Sequence, residues 1–183
     1  PISQCTPTRS ALMTGRYPIR SGNHTIALGG NAGGIVKWEI TIAEILAKAG
    51  YTSSILGKWH IGAEDGRWPT DHGFDEWYGP LRTYDECMWL EDPHYVPERD
   101  GYSHMHEGKK GQGCKPLLNE QLTMETKKTC DLEYLRRGTD FMKRAVAADK
   151  PFYLYFNHSL MHFPMSPRPE FKGKSTKDRK STR

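Results

Sequence analysis

Residues 41–60 read TIAEILAKAGYTSSILGKWH. Thr41 and Glu44 have the spacing of a capping box, in which each side chain satisfies a backbone N–H at a helix start. Ile42, Ile45 and Leu46 then share one side of a helix, and Gly50 is a stop signal. Residues 51–58, YTSSILGK, follow as a short strand. The polar group Lys58, Trp59, His60 comes straight after it. Helix, strand and polar cluster therefore arrive in that order.

The same order returns near the other end. Leu132, Leu135, Thr139, Met142 and Val146 step by three and four, which predicts an amphipathic helix over 131–149, bounded by Pro151. FYLYFN, residues 152–157, is a nearly continuous apolar strand, as expected for one buried on both faces of a parallel sheet. NHSLMH, residues 157–162, again puts polar groups past the strand. In open α/β sheets, sites form outside the carboxyl ends of the strands. The pattern predicts an α/β protein with a mostly parallel sheet flanked by helices.

The rest of the chain is less regular. Residues 23–37 hold four glycines and read as a loop. Residues 62–130 are rich in Gly, Pro, Asp and His, and predict long loops with short elements. Within them His104 and His106 form a His-x-His that lacks further metal partners by spacing. Trp68, Trp77, Tyr78 and Trp89 are candidates to line a site, or simply to pack. Asn23-His24-Thr25 and Asn157-His158-Ser159 match the glycosylation pattern and read as chance matches.

Composition sets limits. At 183 residues the chain is long enough for one domain with a sizeable core. Its 36% hydrophobic and 11% aromatic content argues against disorder. No apolar run has the length of a transmembrane helix, and no signal peptide is visible. The chain begins with Pro1, which suggests a processed chain or a piece of a longer one. The net charge of +4 comes from residues 172–183, KGKSTKDRKSTR, where six basic residues face only Asp178. No aromatic residue interleaves with them, so no nucleic-acid partner is expected. The tail reads as a linker, set apart from residues 1–171.

Four cysteines, Cys5, Cys87, Cys114 and Cys130, include no C-x-x-C pair, so zinc-ribbon and thioredoxin readings lack support. One disulfide, or none, fits the count. Cys5 stands apart. It opens CTPTRSALMTGR, residues 5–16, where Pro7 suits a first helical turn and Gly15 ends the helix. A helix start favours anions and lowers a thiol pKa. Arg9 lies one turn further on. A cysteine phosphatase would need Cys-x5-Arg, and position 11 is Ala11.

Three segments carry a family resemblance. CTPTRSALMTGR resembles the sulfatase signature, Cys-x-Pro-x-Arg followed by an apolar pair and Thr-Gly-Arg. GYTSSILGKWHIG, residues 50–62, resembles the second signature, and HSLMHFPMSP, residues 158–167, the His-x-Pro segment after a core strand. The resemblance runs from Cys5 to about Phe171, with Gln4 a small departure. It implies the alkaline-phosphatase-like fold of type I sulfatases, here incomplete at both ends.

It also implies a chemistry. A separate formylglycine-generating enzyme would oxidise Cys5 to an aldehyde, whose hydrate attacks the sulfur of a sulfate ester with a divalent cation present. The second hydroxyl then eliminates sulfate, so one hard step becomes two easier ones. By resemblance Arg9 orients the hydrate, Lys58 contacts it and the sulfate, and His60 deprotonates the second hydroxyl. His162 approaches the leaving oxygen, and Lys58 or His162 supplies the general acid. His158 is a further candidate for the substrate pocket. The implied cation is Ca2+, with Cys5 as formylglycine among its ligands. The family's Asp-Asp and Asp-Asn ligand pairs do not occur in matching context, which predicts that this chain alone is inactive. Sulfate esters of small molecules or sulfated glycans are the implied substrates, in an arylsulfatase-like reaction. A phosphonate or phosphate ester hydrolase of the same superfamily, and a noncatalytic anion- or partner-binding fragment, are the alternatives. The implied compartment is periplasmic, secreted or lysosomal.

Overall fold

Thr41 accepts from the Glu44 backbone N–H at 3.3 Å, and the Glu44 carboxylate accepts from the Thr41 N–H at 2.8 Å. This capping box starts helix α2, Ile42–Lys48, and strand β1, Thr52–Leu56, follows it. A computed structural model describes residues 3–26, 33–89, 104–160 and 162–174. The expected glycine-rich loop lies partly, and the basic tail mostly, outside the described residues, as does the side chain of Trp89. No described helix is long and apolar enough to cross a membrane.

Helix α1, Cys5–Thr14, ends at Gly15, whose φ of 67° closes the helix in the left-handed conformation. Strand β2 spans Glu76–Pro80, and the short helix α3 spans Glu86–Trp89. Strands β3, His104–Lys109, and β4, Gly113–Gln121, form a hairpin. Helix α4, Met124–Ala147, leads into β5, Phe152–Phe156. The strand order is β4-β3-β2-β1-β5. β2, β1 and β5 are parallel, and β3 and β4 are antiparallel. The result is a mixed α/β sheet whose parallel part carries both helix-to-strand units.

Residues 62–130 thus hold more regular structure than loops with short elements. The missed strands have a physical reason. β4 lies at an edge and is largely exposed, so it needs no apolar alternation, and an edge tolerates its Pro116.

Alternation along the parallel strands builds two cores. Ile55, Trp77, Tyr153 and Tyr155 belong to one, with Met13, Ala43, Trp59 and Phe74. Leu56, Tyr78, Leu154 and Phe156 belong to the other, with Tyr84, Cys130 and Tyr134. β1 is therefore covered on both faces. β5 is not: its residues are exposed or half-buried, and among the described residues it pairs only with β1.

The helices also differ from expectation. α4 begins at Met124, because Thr123 caps it through the Thr126 N–H at 3.1 Å. Its buried face is Lys127, Cys130, Tyr134, Gly138, Phe141 and Ala145. The expected face is outward: Leu132, Leu135 and Val146 are 45%, 58% and 70% exposed. Gly138 decides this. A Cβ there would stand 3.1 Å from Leu56, so its bare backbone lets the helix sit close on β1 and β5. Tyr134 and Phe141 then fill the space on either side, against Tyr78 and Phe152. In α2, likewise, Ala43 is buried while Ile42 and Ile45 are exposed.

Candidate functional site

Three strand ends and one helix start converge. β1 ends at Leu56, and Gly57 follows with a φ of 96°. The Gly57 N–H donates to the Tyr78 carbonyl at 2.8 Å, and the Asn157 N–H to the Leu56 carbonyl at 2.8 Å. A Cβ at Gly57 would lie 2.3 Å from the Asn157 oxygen, and one at Gly79 would lie 2.2 Å from the Gly57 oxygen. Only glycine lets these backbones approach so closely. Past this junction the chain turns Lys58 and His60 inward, to 1% and 2% exposure. His60 adopts a φ of 60°, rare for a residue with a side chain.

Helix α1 docks on this turn by its first residues. The Thr6 hydroxyl donates to the His60 carbonyl at 3.0 Å. The Arg9 guanidinium donates to the Lys58 carbonyl at 2.6 Å, and the Asn157 amide donates to the same oxygen at 3.2 Å. Cys5, half-buried at the head of α1, is thereby placed among Lys58, His60 and His162.

Electrostatics at Cys5 favour an anion. Hydrogen bonds from His162 and then His60, with Lys58 nearby, outweigh burial and pull its thiol down to about 4. Burial lowers the Lys58 ammonium from its ordinary value, with the Cys5 sulfur opposing that and Arg9 adding to it. The other cysteines behave as buried thiols. Cys87 and Cys114 are pushed up by burial, Cys130 to about 11. All four cysteines are free of disulfides.

His162 approaches from the loop after β5. Its Nε2 lies 3.4 Å from Lys58 Nζ and 3.1 Å from the Thr83 hydroxyl. Thr83 in turn donates to Asp85. The Lys127 ammonium donates to the His162 carbonyl at 2.8 Å, and the Tyr84 ring lies 5.8 Å from the His162 ring.

The structure thus brings Cys5, Arg9, Lys58, His60 and His162 together. It does not bring His158 to them. That ring is exposed and packs on Phe156 at 4.8 Å. Asn157 is held by Lys58 and Asn23 is 3% exposed, which suits chance glycosylation matches. His106 is a core ring stacked 5.8 Å from Trp77, and burial lowers it to about 4. Thr83, Asp85, Lys127 and Asp131 were missed by sequence reasoning. Thr83 follows β2 at the same strand edge, a signal hidden while β2 read as loop.

The described residues do not make a calcium site. The groups around Cys5 are cations and ring nitrogens, whereas a calcium ion takes about six to eight oxygen ligands. No group of three or more His, Cys, Asp or Glu side chains suited to a metal occurs among the described residues. A cavity of about 660 Å3 opens elsewhere, between α4 and β2–β3; Trp77 and Tyr78 line it, while Cys5, Arg9, Lys58, His60, His158 and His162 do not. Its cations face nearby acids: Arg144 pairs with Glu76 at 2.9 Å and Arg136 with Glu133 at 2.5 Å.

A strand-edge cluster thus gathers a lysine and two histidines around a half-buried cysteine on an α/β scaffold. The sulfatase family profile matches residues 2–183, and the chain belongs to the sulfatase family. It is 36% identical to N-acetylgalactosamine-6-sulfatase of Homo sapiens over 187 residues, covering 96% of this chain and 34% of that protein. It is 31% identical to arylsulfatase A of Homo sapiens, covering 98% of this chain and 35% of that one. The crystal structure of the PsFucS1 sulfatase from Pseudoalteromonas sp. superposes with a TM-score of 0.79 at 29% identity, over 94% of this chain and 37% of that chain. The chain therefore spans about a third of the length of these relatives.

Proposed function

We propose that the site belongs to a sulfuric ester hydrolase of the arylsulfatase type, with Cys5 as the precursor of its nucleophile. The observation that carries this reading is the set of donors, Lys58, His60 and His162, gathered on the Cys5 side chain, with Arg9 bound to the Lys58 carbonyl beside them. The Cys5 sulfur stands in for the oxygen that a formylglycine would present at that point. Formylglycine would supply a hydrated aldehyde as nucleophile, made by a formylglycine-generating enzyme acting on Cys-x-Pro-x-Arg.

The chain's own residues would do the rest. Arg9 fixes the Lys58 turn against α1 and adds positive potential where the reacting oxygens gather charge. Lys58 holds a proton within 3.4 Å of His162, so either can pass one to a leaving alcohol. His60 hydrogen-bonds residue 5, where a base is needed to return the nucleophile to its starting state. Thr83 steadies the His162 ring. Calcium, the cofactor expected by resemblance, has no ligand set among the described residues, and no step is routed through it.

The substrate is a sulfate ester, aromatic or borne on a sugar, in a periplasmic, secreted or lysosomal setting. The test is mass spectrometry of the Cys5 peptide after coexpression with the modifying enzyme, followed by rates on an aryl sulfate and an aryl phosphonate. Loss of the thiol mass and preference for the sulfate are expected. A thiol that survives coexpression overturns the proposal. Faster phosphonate cleavage assigns the site to that related hydrolase instead.

A further inference from the structure

Helix α4 presents two charged side chains, one turn apart on one face, to the loop that carries His162. Lys127 is 1% exposed and has no carboxylate hydrogen-bonded to it among the described contacts. Its ammonium donates to the His162 carbonyl at 2.8 Å and to the Pro164 carbonyl, and its Nζ lies 5.6 Å from the centre of the Tyr84 ring. Asp131 accepts from the Ser159 N–H at 2.7 Å and from the Leu160 N–H at 3.3 Å. Burying an ammonium is costly, and burial lowers this one from its ordinary value. A lysine retained at such a cost implies that what it touches needs holding.

What it touches is the backbone of a site residue. The described residues between Asn157 and Pro164 form no helix or strand, so their carbonyls and N–H groups need partners from elsewhere. Asn157 ties its start to Leu56 and Lys58. Asp131 takes the middle and Lys127 the end. Tyr84 completes the support: its ring lies against both Lys127 and His162, and its hydroxyl meets that of Tyr134, also on α4, at 3.1 Å.

We propose that Lys127 and Asp131 are positioning residues that clamp the 157–164 loop and thereby aim the His162 ring at Cys5, Lys58 and Thr83. Neither residue contacts Cys5. The catalytic meaning of that aim rests on the proposed hydrolase, but the clamp itself is a statement about geometry. Without it the loop loses four hydrogen bonds and the His162 ring loses its fixed approach.

The test uses the full chain, unmodified at Cys5, with imidazole nitrogens observed by NMR and backbone exchange followed at Ser159 and Leu160. Lys127→Met is expected to shift the His162 ring signals while those of His72 and His106 stay in place. Asp131→Asn is expected to speed exchange at Ser159 and Leu160 about tenfold or more. Lys127→Arg, which keeps donors at that point, is expected to return the His162 signals toward those of the native chain. A merely structural role would lower the melting temperature and leave the His162 signals where they were, which overturns the proposal. If Lys127→Met does not fold, Asp131→Asn decides: unchanged exchange and unchanged His162 signals reject the clamp. Conversion of Cys5 by the modifying enzyme is measured separately by mass spectrometry, so failure of the hydrolase reading shows there and not in these signals.

Discussion

The Lys58 ammonium and the His162 imidazole meet at 3.4 Å although 104 residues of chain separate them. Each is delivered by the turn after a parallel strand, and those strands, β1 and β5, are neighbours in register from Thr52–Phe152 to Leu56–Phe156. Function at this point is therefore a product of strand pairing.

Lys58 is the first residue to test. It is buried beside Arg9, a like charge, so it is costly to the fold. Replacing a lone buried ammonium by an apolar side chain of similar size removes its desolvation cost. Lys58→Met is expected to keep or raise the melting temperature of this chain and, under the proposed role, to lower aryl-sulfate turnover by about 100-fold or more in the modified, full-length enzyme. A parallel loss of stability and turnover would contradict the role assigned to it.

Unmodified Cys5 has a characteristic pH profile. A thiol at about 4 is already thiolate in mildly acidic solution, while Cys87, Cys114 and Cys130 are raised by burial. Iodoacetamide at about pH 6 is expected to label Cys5 selectively, because the thiolate is the reacting form. Its rate should be flat above that pH and fall as pH drops through the thiol's own value. His162→Ala should move the fall to higher pH, since His162 is the largest cause of the lowering. Peptide mapping of the label at several pH values reads both effects.

Gly57 and Gly79 are expected to resist substitution. Alanine at Gly57 meets both a φ of 96° and the Asn157 oxygen at 2.3 Å. Gly57→Ala should cost on the order of 3 kcal/mol or more, from backbone strain and the displaced strand together. Gly15→Ala has the same kind of φ, 67°, but nothing within 4 Å, so its cost should be about 1 kcal/mol. Urea unfolding of the two variants separates close approach from conformational preference.

Calcium gives a fourth test. With cations and ring nitrogens around Cys5, titration of the 183-residue chain with calcium is expected to show no tight binding at this site. Calorimetry that found tight binding, abolished by Cys5→Ala, would show that oxygen ligands beyond the described groups reach this site.

The two faces of α4 give the fifth. Leu135→Glu, on the exposed stripe, should change stability by no more than about 0.5 kcal/mol. Phe141→Ala, on the buried stripe, should cost about 3–5 kcal/mol. Thermal melts of both variants check which side of the helix meets the sheet.

The helix-strand units were legible because their signals are local. The Thr41–Glu44 box and the strand beyond it lie within sixteen residues of sequence, Thr41 to Leu56. The facing of α4 was not legible. That helix carries two apolar stripes, and periodicity cannot say which one meets the sheet. Gly138 decided it by allowing close approach, a property of the partner surface. β4 escaped notice because, at an edge and largely exposed, it needs little apolar content. Among the site groups, Cys5, Arg9, Lys58, His60 and His162 stood in recognisable segments. Thr83, Lys127 and Asp131 are joined to the His162 loop only across 79, 35 and 28 residues, distances over which sequence pattern carries no signal.

The left-handed backbone at His60 carries an evolutionary consequence. A residue with a side chain held there costs about 1–3 kcal/mol that glycine would not. A lineage that stopped using the imidazole would gain stability by drifting to glycine, or part of it with asparagine, at this position. Under the proposed role, the side chain found at position 60 in any relative becomes a marker. A retained histidine records continuing selection for the chemistry, and its replacement by glycine records retirement from it.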